Sequence, residues 1–371
     1  MNLSFLYKLL FIIGSLFIIL SAILSWIEHS RRDREKNEMI KKLQVETSKA
    51  SRWISISYDF KGTKRETKAG HINLIQGKEI AVFKTMSKLQ NEKNYIELVT
   101  VCENQIKETP EWLTPYLFLG VAYDNLDKKD KAIQMYEYVK ENSFGDSEYA
   151  DAYYFLGQIY AIKGDFSKAI GELKSYLKYK PENAIVRYNL GLAYDKIGLI
   201  DEAIEEYKLA LKYKVDFAWA YYNLGLDYAN MGLINESIEQ YKLAIKYKPD
   251  FSDAYDNLGH IYYKMGKTNE AIEEYKLAIK YEPGHVNAHN NLGAAYANKG
   301  LNDEAIEEYK LAIKYQDDFA KAYYNLGYAY GRKGMNKEAI QAFENFKKYW
   351  KGDTIKIEEV EKLIKSLKKE D

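Results

Sequence analysis

From Gly120 onward the chain repeats one pattern of residues: Leu-Gly, a tyrosine three residues on, a second glycine four later, then Ala-Ile and another tyrosine. The first glycine falls at Gly120, Gly157, Gly191, Gly225, Gly259, Gly293 and Gly327, so the spacing is 37 once and 34 five times. A unit this short cannot bury its apolar face alone, so such chains stack their units in a row and have no single closed core. Stacking builds extended surfaces more readily than catalytic pockets, which points to binding.

Composition narrows the partner. Lys and Arg together number 54, and so do Asp and Glu, leaving no net field to attract nucleic acid. The one cysteine excludes an internal disulfide and a Cys-rich zinc site. Five prolines suit a chain that is mostly helix.

The N-terminus has a different character. Leu9 to Ile27 carries no charge over 19 residues, and at about 1.5 Å per residue this approaches the ~30 Å of a bilayer core. Trp26 stands at its end, where an amphipathic ring suits the interface. The expectation is a short tail and transmembrane anchor over 1–27. A cleaved signal peptide is the rival, but Lys8 alone marks its basic region and Leu20 occupies the −3 place before Ala22. Arg31, Arg32, Arg34, Lys36, Lys41 and Lys42 on the C-terminal side predict a single-pass protein with a cytoplasmic body. The alternative is a body on the periplasmic or extracellular side. No cysteine follows the apolar run to carry a lipid.

Residues 28–75 read as a charged helical stalk and linker, with Trp53 to Tyr58 and Lys61-Gly62 either a short hairpin or irregular chain. Residues 76–109 hold two helical patterns, the second from Tyr95 to Cys102 aligning with later helices but lacking the glycines. They are expected to form a degenerate capping repeat, with Cys102 as a buried, inert thiol in a slot used elsewhere by tyrosine. The unit from Phe251 to Tyr281 shows the regular form. Asp250 is placed to cap a helix with Ala254, Tyr255, Leu258 and Tyr262 inward. Gly266 turns the chain, and Ala271, Ile272, Tyr275, Ala278 and Ile279 share a face of the second helix. Glu273–Lys276 and Glu307–Lys310 belong to the solvated side.

These units resemble tetratricopeptide repeats, most closely along His289, Leu292-Gly293, Tyr296, Gly300, Ala305, Tyr309 and Ala312. The resemblance covers seven units over 110–350. It implies an all-α, right-handed superhelical solenoid with a 351–371 capping helix at its end. Val215 and Asp317 stand in place of proline, Ser237 in place of the close-packing alanine, and Asp127 in place of the turn glycine.

In this family the first helix of each unit lines the concave wall. Five copies carry asparagine two residues before the first glycine: Asn189, Asn223, Asn257, Asn291 and Asn325. An amide offers both a donor and an acceptor, so such a column can pair with a peptide backbone. It is similar to the asparagine ladder of the O-linked N-acetylglucosamine transferase, without that enzyme's catalytic domain. A local structural role is the other reading. Neighbouring wall positions are apolar early, with Tyr154, Tyr188, Trp219 and Tyr222, and polar later, with Asp256, His260, Lys264, Asn290 and Asn298. Tyr324, Tyr328 and Arg332 close the row.

Two decoys fall away. Gly259 to Thr268 has six residues between its glycines where a phosphate loop needs four. His285 and His289 share helical spacing but lack a third metal ligand. The expectation is therefore a membrane-anchored scaffold for protein or peptide partners, with no enzymatic activity, cofactor, metal or nucleic acid. An accessory subunit presenting peptides to a glycosyltransferase or a secretion or assembly complex is the alternative.

Overall fold

The computed structural model describes residues 69–143 and 147–370. The expected anchor at 9–27, most of the 28–75 stalk and the hairpin question from Trp53 to Gly62 lie outside the described residues. Among the described residues no helix is long and apolar enough to cross a membrane.

The described residues form seventeen α-helices and one 3-10 turn, Ser147–Tyr149. The first two helices are α1 (Ala69–Asn91) and α2 (Tyr95–Glu108). Helix α1 begins inside the segment expected to be linker and runs on past 76 without a break. Seven pairs follow: α3 (Thr114–Asn125) with α4 (Lys129–Asn142), and α5 (Asp151–Ile162) with α6 (Phe166–Tyr179). Next come α7 (Ala184–Lys196) with α8 (Ile200–Tyr213), α9 (Ala218–Asn230) with α10 (Ile234–Tyr247), and α11 (Ser252–Lys264) with α12 (Thr268–Tyr281). The last pairs are α13 (Val286–Asn298) with α14 (Asn302–Tyr315) and α15 (Ala320–Arg332) with α16 (Asn336–Tyr349), before a tail helix α17 (Thr354–Glu370).

Within each pair the turn needs a left-handed residue. Gly198, Gly232, Gly266 and Gly300 supply it at φ of 76–78°, a conformation that is cheap only without a Cβ. Each first helix packs on its own second helix and on the second helix of the preceding unit. The first glycine sets that approach: a Cβ on Gly191 would lie 2.5 Å from the Tyr207 ring, and one on Gly225 2.7 Å from Tyr241. Leucines beside these glycines, Leu190 and Leu224, are fully buried, and each contributes about 1.5–3 kcal/mol.

Within the regular units one helix start differs from expectation. Phe251, not Asp250, is the N-cap of α11, and it caps without a side-chain bond. Asp250 turns instead to Lys248, 2.9 Å away. Ser237, in the alanine slot, is fully buried and donates its hydroxyl to the Gly225 carbonyl at 2.7 Å. At the far end, α17 lays Val360 and Ile364 over Phe343 and Phe346.

Candidate functional site

The first helices pack mainly on second helices, and some successive first helices also approach one another. The asparagine column explains how they are held in register. Asn223 donates from Nδ2 to the Tyr188 hydroxyl at 3.0 Å, and Asn257 to the Tyr222 hydroxyl at 3.0 Å. Asn291 donates to Asp256 Oδ1 at 2.9 Å, and Asn325 to Asn290 Oδ1 at 2.9 Å. Asn189 stands in the same relation to Tyr154. Each amide thus spends one N–H on the residue 35 positions back, in the preceding unit. Its second N–H has no fixed place in this ladder.

The partners of the column respond to that setting. Burial pushes the Tyr222 phenol up to about 12, aided by Asp253 and Asp256 and opposed by the Asn257 hydrogen bond. Burial also raises the Asp256 carboxyl, again against the hydrogen bond from Asn291. Both groups hold their protons more firmly than usual, as expected for polar atoms in a narrow seam between helices.

Beside the seam lies a more open stripe. Trp219 is 44% exposed at the start of α9, its ring 4.5 Å from that of Phe251. Ile185, one unit earlier in the same register, is 50% exposed. Tyr188, Leu192, Tyr222 and Leu226 are half-buried below them. Of the expected apolar stretch, Tyr188, Trp219 and Tyr222 stand on α7 and α9 while Tyr154 stands on α5, and Ile185, which sequence reasoning missed, joins those on α7. Its signal was available: it sits 34 residues before Trp219.

The polar stretch is less uniform. Asp256 and Asn290 are buried in the seam, whereas His260, Lys264 and Asn298 are exposed on α11 and α13. Burial, with Lys264 nearby, lowers the His260 imidazole. Asn298 accepts from Thr268 at 3.4 Å, which ties it to a second helix. Arg332 donates to the Ala297 carbonyl at 2.9 Å.

Tyr324 and Tyr328 turn out to serve the end of the array. Their hydroxyls lie 2.9 and 3.2 Å from Glu359 of α17, and Lys356 sits 4.3 Å over the Tyr324 ring. The tail helix therefore holds the two tyrosines that were expected to close the groove. Tyr154, at the other end, receives a hydrogen bond from Gln158 on its own helix. A separate cleft of about 310 Å³ lies near α1, α3 and α5, with Phe83, Leu117, Val121 and Phe155 in its walls.

The histidine pair is structural. His285 caps α13, its Nδ1 accepting from the Ala288 N–H at 3.1 Å, and its Nε2 lies 3.3 Å from Asp253. His289 places Nδ1 2.6 Å from Glu308 and Nε2 3.0 Å from the Pro283 carbonyl. Arg187 makes the same two bonds three units earlier, to Glu206 and the Pro181 carbonyl. Among the described residues no group of three or more His, Cys, Asp or Glu is placed to hold a metal ion.

Comparison with known proteins agrees with this geometry. A family model described as "TPR repeat" matches 157–198, 196–232, 227–266, 259–300 and 298–334. Two described as "Tetratricopeptide repeat" match 119–177 and 321–351, so together they cover well over half of the 371 residues. Among solved structures, the MamA protein is 35% identical over 46% of this chain and 94% of its own, at a TM-score of 0.42. YrrB, described as a TPR protein with an unusual peptide-binding site, is 24% identical over 50% of this chain and 95% of its own, at 0.45. The APC/C hetero-tetramer Cut9-Hcn1 is 16% identical over 74% of this chain and 52% of that one, at 0.51, and shares the fold. No curated protein matches by sequence.

Proposed function

The chain belongs to the tetratricopeptide-repeat family, and from that premise we propose that it is an interaction scaffold whose first-helix wall takes a peptide segment of a protein partner. The observation that carries this is the apolar stripe on α7 and α9. Trp219 and Ile185 are exposed in register above the half-buried Tyr188, Leu192, Tyr222 and Leu226. An exposed tryptophan flanked by packed aromatics is the arrangement that anchors binding in protein interfaces. The asparagine column supports the reading, since each amide keeps a second N–H for a backbone passing over it.

The apolar 9–27 segment adds the expectation that the scaffold works at a membrane, with its body on the cytoplasmic side. Flotation of the chain with lipid vesicles, lost when 1–27 is deleted, supports the anchor; flotation unchanged by the deletion contradicts it.

The groove is tested by panning a displayed peptide library against the chain. Enriched peptides are expected to lose about 30-fold in affinity on Trp219→Ala, the range of an interface anchor at ~2 kcal/mol. Glu273→Ala on the solvated side of α12 should leave binding unchanged. Equal loss in both variants, or no enrichment, contradicts the reading.

A further inference from the structure

Successive first helices end on one recurring position: Lys196 of α7, Asn230 of α9, Lys264 of α11, Asn298 of α13 and Arg332 of α15. All five are exposed. Each stands one turn past a wall residue, as Lys196 does past Leu192 and Lys264 past His260, so it shares that face at the rim of the groove. The earlier units have Asn125 and Ile162 there, so no unit places an acid on the rim. Arg332 reaches the Ala297 carbonyl of the preceding unit at 2.9 Å, which sets neighbouring rims side by side.

The chain is neutral as a whole, but its exposed charge is sorted. From α7 to α15 the first helices expose Lys196, Lys264, Lys321 and Arg332 against one carboxylate, Asp253, which already faces His285 at 3.3 Å. On the second helices the lysines have acidic neighbours: Lys208 with Glu205, Lys276 with Glu273 and Lys310 with Glu307, at 3.0–3.8 Å. Among the described residues Lys196 and Lys264 are in no ion pair. A helix C-terminus favours a cation, yet these two are left without a counter-charge beside an apolar stripe.

We propose that the segment taken by the wall is acidic: an extended peptide with an apolar side chain on Trp219 and Ile185, and Asp or Glu side chains along the rim row of Lys196, Lys264 and Arg332. The amides Asn230 and Asn298 fall between the cations and donate to a carboxylate as well, so the row offers donors in every unit. This rests on the peptide-binding reading of the wall and names the class of peptide. Three cations beside an apolar stripe suit such a segment better than a phosphate lattice, whose binding grows with the number of phosphates neutralised.

The probes are the peptide most enriched by panning on the intact chain, and the same peptide with each Asp and Glu changed to Asn and Gln, both C-terminally amidated. The acidic form is expected to bind about tenfold more tightly. Lys196→Gln with Lys264→Gln should weaken the acidic form about fivefold and reduce its loss of affinity between about 50 and 500 mM salt. The same variant should bind the amide form within about twofold of the native chain, which also shows that it is folded. Lys276→Gln with Lys310→Gln, on the second helices, should alter neither probe. An enriched pool no richer in Asp and Glu than the starting library, or equal binding of the two probes, overturns the proposal; the wall itself still stands if Trp219→Ala weakens binding. A DNA duplex or an anionic lipid vesicle held through the same two lysines as tightly as the acidic probe overturns it as well. If no peptide is enriched, the wall and its acidic ligand fall together.

Discussion

At the residue scale the array depends on matched sizes across the helix pair. Gly191 faces Tyr207 and Gly225 faces Tyr241, with no room for a Cβ. The first helix pair inverts this match. Met86 stands where the later copies place glycine, and the residue facing it is the small Cys102, its sulfur 3.5 Å from the Met86 sulfur. Burial and Glu103 push that thiol up to about 12, so it stays protonated and unreactive. Gly225→Ala is expected to cost about 1–3 kcal/mol through overpacking, and a second change, Tyr241→Leu, to return part of it. Gly157 already faces Leu173 in this way. Thermal denaturation of the two variants checks the order; a double variant less stable than the single one contradicts it.

His289 gives a pH prediction at the same scale. Burial disfavours its charge, but the Glu308 carboxylate and the Pro283 carbonyl more than offset that, so its imidazole is raised above the ordinary value. The sign follows: the stabilisation is fully present below about 6.5, the ordinary imidazole value, and is lost as pH rises through the higher folded value. The ring resonances should titrate with a midpoint above that value in the native chain and lower in Glu308→Gln. A native midpoint below it would remove the imidazolium bridge.

At the element scale the tail helix is the clearest case. Its Val360 and Ile364 cover Phe343 and Phe346, which would otherwise face water at the end of the stack. Ile364→Ala is expected to cost about 2–5 kcal/mol. Glu359→Ala, on the exposed rim, should change stability little, because its bonds to Tyr324 and Tyr328 sit near solvent. Denaturant unfolding of both variants separates packing from surface bonding; equal losses would contradict the assignment.

Helices of this kind were legible in the sequence because their period repeats. The turn glycines, the alanine slots and the α17 pattern could all be placed from spacing alone. What was not legible lies between units. The asparagines left a backbone-pairing role and a local structural role both open, and the spacing alone did not show that each bonds to a residue 35 positions back. Tyr324 and Tyr328 read as groove residues, yet α17 occupies them. A period shows what each unit shares, whereas these contacts come from where units differ. Asp250 failed for a local reason: Lys248 offered its carboxylate a closer partner than the helix N-terminus.

At the scale of the whole array, each unit touches mainly its neighbours, so stability should be distributed and local. Unfolding monitored at α3 and α15 is expected to show separate midpoints, with exchange at one end insensitive to mild changes at the other. A single shared transition would show stronger long-range coupling than nearest-neighbour packing supplies.

A footprint tests the proposed peptide wall most directly. Hydrogen exchange of the intact chain, with and without a peptide selected by panning, should gain protection on α7 and α9 around Ile185, Tyr188, Trp219 and Tyr222. The outer helices α8 and α10 should change far less. Protection centred on second helices, or on the cleft beside Phe83, would contradict a wall built from first helices.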